Sequence, residues 1–326
     1  MTLERDAAEQ LASDRGAALA SDLPPAAVRQ GVIRGVILRE RQSVVGLAIL
    51  VLFVAVALLA PLIAPDGPRT QVGGPYAAPS GSHWLGLDDG GIDMLTLIMY
   101  GARISLLVGF AASLVAMVIG GGVGILSGYF GGKVDVILMR ITDYFLVIPD
   151  IPLMIVVAAI FGRSLLNIII IIGVIYWTST ARLIRAQVKS VRERTYVKRA
   201  QALGASDVRL MRRHVLPQIV PLLIANTVLT VATAIFAETY ISFLGLGDPS
   251  SISWGRLIQN SLTGGAIFHH AWWAIVPPGV CVTLLILACT IIGQSIEDTL
   301  NPRLKVGHLA VRRFRLRPLA GRLESE

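Results

Sequence analysis

Six long apolar runs constrain this chain more than any other feature. They cover 44–64, about 104–129, 134–161, about 165–185, about 218–244 and about 272–293. A helix needs roughly 20 apolar residues to cross a bilayer, and each run reaches or approaches that length. Only 15% of the 326 residues are charged, against 54% hydrophobic. A soluble domain carries about 25% charge. Too few charges remain to cover a water-facing surface, which excludes a soluble enzyme, a disordered chain and a nucleic-acid binder. The expectation is an all-α integral membrane protein with six spans. Gly120, Gly121, Gly122, Pro149 and Pro152 are the points where spans two and three are open to breakage.

The net charge is +8, and its placement sets an orientation. Arg29, Arg34, Arg39 and Arg41 precede span one. Lys189, Arg192, Arg194, Lys198, Arg199, Arg209, Arg212 and Arg213 lie between spans four and five. Arg303, Lys305, Arg312, Arg313, Arg315, Arg317 and Arg322 follow span six. The stretch after span one offers Arg69 against Asp66, Asp88, Asp89 and Asp93, and the loop after span five offers only Arg256. The positive-inside rule puts both termini and the 186–217 loop in the cytoplasm, with 65–99 and 246–271 outside. Residues 1–30 lack the apolar core of a signal peptide and read as polar and Ala-rich, within an expected cytoplasmic tail over 1–38, and 301–326 read as a basic cytoplasmic tail.

Chemistry inside the spans is sparse. Cys281 and Cys289 stand eight positions apart in one run, about 12 Å of helical rise, too far for a disulfide. A phosphate-cradling loop requires GxxxxGK[ST]. The nearest string, Gly131-Gly132-Lys133, has Ser127 for the first Gly and Val134 for the closing hydroxyl, and reads as a tight turn. No nucleophile arrangement stands out. His269-His270 lacks the further ligands of a metal site. Ionisable residues at membrane depth are costly and so are functional candidates: Arg140, Asp143, Asp150 and Glu238. Arg140 and Asp143 are spaced to pair on one helix face. For Asp143 and Glu238, structural pairing is preferred over pathway lining. Asp150, between Ile148-Pro149 and Ile151-Pro152, suits either role.

The 186–217 loop reads as two short helices, about 191–203 and 206–214, flanking Gly204, which permits a positive φ. Ser206 and Asp207 suit a helix start, and Pro217 restarts the chain as span five. Taken alone this is an ordinary basic loop. Its spacing adds more. Ala200, Gly204 four positions later, then Leu216-Pro217 after a basic stretch resembles the "EAA" loop of ABC importer permeases. The matching positions include Ala202, Leu203, Gly204, Ala205, Ser206, Asp207, His214, Leu216 and Pro217. Lys198-Arg199-Ala200 stands where that family commonly has Glu-Ala-Ala.

Three further stretches resemble the second, C-type permease of the dipeptide/oligopeptide/nickel group. They are His83-Trp84-Leu85-Gly86 with Asp88, Asp89, Gly91 and Asp93; Ala237-Glu238 with Ser242-Phe243-Leu244-Gly245-Leu246-Gly247; and Asp298-Thr299-Leu300-Asn301-Pro302-Arg303. Ile92 and Leu97 replace residues that are usually Arg in that group. The resemblance covers about 40–305. It implies the type I importer permease fold, with a first helix and extracytoplasmic segment over 39–99 and a five-helix core over 100–300. It implies a non-catalytic permease subunit of the bacterial inner membrane, with loop 186–217 docking on the ATPases. The partners implied are a homologous second permease, two ATP-binding subunits and an extracytoplasmic substrate-binding protein. No cofactor is expected on this chain, since ATP and Mg belong to the ATPase subunits. The expected cargo is a di- or oligopeptide, with nickel or another small solute as the alternative. An ion-driven secondary transporter is the rival of a different class, disfavoured because no internal repeat is visible.

Overall fold

The computed structural model describes residues 41–65 and 67–300. The expected tails 1–38 and 301–326, Asp66 and the Asn301-Pro302-Arg303 match lie outside the described residues. The described residues are mostly helical: α1 Arg41–Ile63, α2 Met94–Phe130, α3 Gly132–Val147, α4 Asp150–Phe161, α5 Leu165–Arg192, α6 Thr195–Ala202, α7 Asp207–Leu210, α8 Leu216–Phe243, α9 Trp254–Thr263 and α10 Val276–Leu300. Among the described residues, five helical stretches are long and apolar enough to cross a membrane, and α3 with α4 gives a sixth if that bent pair counts as one span.

The second span departs from its expected limits. Helix α2 starts at Met94, ten residues earlier than the apolar run, because the Asp93 carboxylate caps it through the Thr96 N–H at 2.8 Å. Its 37 residues span about 55 Å, well beyond a hydrocarbon core of about 30 Å. The glycines do not break it. Gly120, Gly124 and Gly128 recur every fourth residue and so share one face, which lies directly on α5. A Cβ at Gly124 would sit 2.7 Å from the Ala181 carbonyl, and one at Gly128 would sit 2.8 Å from that of Arg185. Close approach of two backbones through small residues is how membrane helices gain packing without a hydrophobic driving force. Gly124→Ala is therefore expected to destabilise the bundle by about 1–3 kcal/mol through overpacking, read as a lower unfolding midpoint in detergent. An unchanged midpoint would refute this account of the stripe.

The third run does break. Ile148 and Pro149 are extended, and α3 meets α4 at 88°. A proline disfavours helical geometry in the residue before it, and Ile148 stands in that position. Helices α1, α8 and α10 pack together, and Ser43 of α1 donates to Ser295 of α10 at 2.6 Å.

One end of the bundle is capped by the 64–93 and 245–275 segments. Trp273 Nε1 donates to the Leu87 carbonyl at 3.1 Å, Trp254 Nε1 to that of Ile98 at 2.9 Å, and Tyr76 stacks on His269. The His83–Asp93 match is a folding device: His83 Nδ1 lies 3.1 Å from Asp93, and the Asp88 carboxylate accepts the N–H of Ile92 at 2.7 Å. Burial pushes the Asp88 carboxyl up, against the pull of those N–H groups.

Candidate functional site

The 186–217 loop closes the opposite end. Helix α6 ends in a six-residue turn in which Ala205 N–H donates to the Ala200 carbonyl at 3.2 Å and Gly204 N–H to that of Gln201 at 3.0 Å. This bond pair is the Schellman motif, which places a left-handed residue just past the helix. Gly204 occupies that place with φ +84°. The Ala200–Gly204 spacing thus has a local cause: the two are fixed positions of one turn.

The loop has a buried side and an exposed side. Val197, Leu210 and Val215 join the core formed by Tyr129 of α2 and Ile184, Val188 and Val191 of α5. The Tyr129 hydroxyl donates to Asp207 at 2.8 Å, and the Gln218 side-chain amide donates to Tyr196. The tip faces outward: Leu203 is 88% exposed and Val208 63%. Lys198, Arg199, Ala202, Gly204, Ser206, Asp207 and Pro217 are exposed too, whereas Ala200, Ala205, His214 and Leu216 are half-buried. Lys198 pairs with Glu193 at 2.6 Å, and that ammonium holds the Glu193 carboxyl below its usual range.

Pro217 does not restart the chain. Asp207–Phe243 runs as one helical stretch through a π segment, Met211–Val215. Proline would clash with the carbonyl four residues back in an α-helix. The wider turn, with Leu216 N–H bonded to Met211 O, relieves that clash.

The intramembrane residues are arranged differently from the local reading. Asp143 pairs with Arg182 of α5 at 2.5 Å, not with Arg140, and the pair is half-exposed, 53% and 48%. The α5 guanidinium reaches across a helix contact, which spacing along α3 does not reveal. Glu238 is fully buried yet has no cation partner among the described residues; it sits among the hydroxyls of Ser105, Ser242 and Ser253. Asp150 opens α4 beside a cavity of about 430 Å³ between α4, α5, α8 and α10. Cys281 and Cys289 are both free. Among the described residues no group of three or more metal-ligating side chains forms.

The most heavily bonded carboxylate went unnoticed in the sequence. Asp135, in the first turn of α3, accepts from Arg185 Nε at 2.5 Å and Nη2 at 2.7 Å, Lys189 Nζ at 2.6 Å and Ser127 Oγ at 2.5 Å. It ties α2, α3 and α5 together directly behind the loop. The available signal was Arg185 and Lys189 at i and i+4 on one helix face, with a lone acid opening the neighbouring span.

Two family models match the chain. One describes a binding-protein-dependent transport system inner membrane component over residues 120–306, and the other the N-terminal TM domain of oligopeptide transport permease C over 36–79. The dipeptide transport system permease protein DppC of Alkalihalophilus pseudofirmus is 35% identical over 269 residues, 82% of this chain and 88% of its own length. The oligopeptide transport system permease protein OppC of Bacillus subtilis is also 35% identical, over 82% of this chain and 87% of its own. The glutathione transport system permease protein GsiD of Pectobacterium atrosepticum is 32% identical over 82% of this chain and 89% of its own. An all-helical bundle with five or six spans, matched over most of its length by such permeases, belongs to the family of binding-protein-dependent transport system inner membrane components.

Proposed function

We propose that this ABC transporter permease imports di- or oligopeptides and supplies half of the translocation pathway, with a homologous permease supplying the other half. The relatives matched along most of the chain are named for dipeptides, oligopeptides and glutathione, which favours a peptide cargo over nickel. The 186–217 loop is the element that docks on one of the two ATP-binding subunits. The observation that carries this role is its two-sided build: one side locked into the α2–α5 core, the other presenting Leu203 and Val208 unpartnered. A water-exposed apolar tip on a rigid turn is a surface built for a partner.

In this reading, an extracytoplasmic binding protein delivers the peptide to the end capped by 64–93 and 245–275. ATP-driven closure of the ATPases then moves loop 186–217, and the rigid Asp207–Phe243 stretch carries that movement into the wall of the cavity. A ligand shifts such an equilibrium only by binding one state better than the other. Here the ATPase dimer and the binding protein supply that difference. ATP and Mg stay on the ATPase subunits.

Two measurements test the reading. The first is ATP-dependent uptake of labelled dialanine by vesicles holding the whole complex; uptake of no peptide, with another solute carried instead, would overturn the cargo assignment. The second concerns orientation. Ser80 is exposed on the capped end, so a cysteine placed there is expected to react with an impermeant maleimide in intact cells. Reaction only after the inner membrane is opened would reverse the topology.

A further inference from the structure

The cavity between α4, α5, α8 and α10 holds a feature that the import cycle above leaves unused. Among the residues lining it, Asp150 is the only one that carries a charge. No described cation pairs with this carboxylate, and the Asp150 side chain is exposed to the cavity mouth. Its one resolved hydrogen bond comes from the N–H of the next residue, Ile151, at 3.0 Å. The 88° break at Ile148-Pro149 brings the start of α4 to this place. Broken backbone at membrane depth is tolerated where it lines a cavity. The cavity therefore presents a carboxylate that no cation among its lining residues partners.

The remaining lining fits an ammonium group. Tyr176 of α5 and Phe236 and Tyr240 of α8 bring three aromatic rings to the same cavity. Aromatic faces attract cations, more strongly when water is excluded. Thr233 and Thr290 add hydroxyls, and the other walls are apolar. A volume of about 430 Å³ falls in the range of small-molecule sites, about 300–1,000 Å³. An anionic group brought beside Asp150 meets like charge and no cation among the lining residues, which disfavours it at that place.

We propose that Asp150 and the aromatic rings around it form a transient site for the α-ammonium group of the transported peptide, so that the permease itself selects a free amino terminus. This rests on the peptide reading above for the identity of the amine carrier. The amine site itself is tested separately.

The test uses the purified permease–ATPase complex without binding protein. Asp150 is esterified with an excess of a diazo compound, which needs no amine nucleophile and releases N2, and the extent is read by mass spectrometry. Dialanine at millimolar concentration, and ethylammonium at higher concentration, are expected to slow modification, on the order of tenfold at saturation, while N-acetyl-dialanine leaves it unchanged. Equal protection by both peptides, or by none of the probes, overturns the proposal. So does an Asp150 that is inert in the complex but reactive in the isolated chain, since a cation from the second permease then occupies the carboxylate.

In vesicles with the binding protein present, Asp150→Asn is expected to lower dialanine uptake on the order of tenfold, with Asp150→Glu retaining most of it. Unchanged uptake by Asp150→Asn counts against the proposal. Protection by ethylammonium combined with no peptide uptake by the wild type leaves the amine site standing and removes the peptide reading.

Discussion

Asp135→Asn is expected to damage the bundle more than any other single charge change among the described residues. The carboxylate is only 12% exposed and is bonded by Arg185, Lys189 and Ser127 at 2.5–2.7 Å. An amide of the same shape keeps the volume but leaves two cations facing each other without a counter-charge. Breaking a buried ion pair from one side costs about 3–5 kcal/mol. The lower end applies, because the Lys189 side chain is 43% exposed and can turn toward water. The unfolding midpoint of the purified chain is expected to fall by about 5 °C or more. Asp143→Asn serves as the comparison. Its pair with Arg182 is half-exposed, and exposed pairs contribute about 0–1 kcal/mol. A midpoint more sensitive to position 143 than to 135 would overturn this ranking.

The same contrast shows what the sequence discloses. The apolar runs were legible because a span is a local property, about 20 residues of one chemistry. The turn at Gly204 was legible because a Schellman cap is written into six consecutive residues. Pairings between helices were not. Arg140 and Asp143 satisfy an i,i+3 rule, yet Arg182, thirty-nine residues from Asp143, takes the contact. Gly120 read as a point of weakness because helix propensity counts glycine as a cost. Its role depends on Trp177 and Ala181 of another helix. Glu238 invited a search for a cation, whereas Ser105 and Ser253, remote in sequence, supply neutral donors. Asp135 carried no expectation, because its two cations, Arg185 and Lys189, come from α5, 50 and 54 residues further on. The break at Pro149 was visible as chemistry, but its 88° angle follows from how α4 packs against α5 and α8.

Gly204→Val is expected to separate insertion from transport. At φ +84° a β-branched residue is held in a conformation that costs of order 1–3 kcal/mol. No heavy atom lies within 4 Å of a Cβ built there, so the penalty is conformational and confined to the turn. The spanning helices keep their contacts, and the yield of membrane-inserted chain is expected to stay near wild type. The turn does not survive unchanged: losing the left-handed residue releases the Ala205–Ala200 bond and re-aims Leu203, the most exposed apolar side chain of the loop. Binding-protein-stimulated ATP hydrolysis and peptide uptake in vesicles are expected to fall on the order of tenfold, since loss of about 1.4 kcal/mol at the ATPase contact has that effect. Gly204→Asn separates backbone from side chain. Asn adopts the left-handed conformation at small cost, so it is expected to keep most of the uptake although it adds a larger side chain than the native hydrogen. Equal loss in both variants would mean that contact space at position 204 matters, and not its φ. Wild-type uptake by Gly204→Val would remove the turn, and with it the 186–217 loop, from the coupling role.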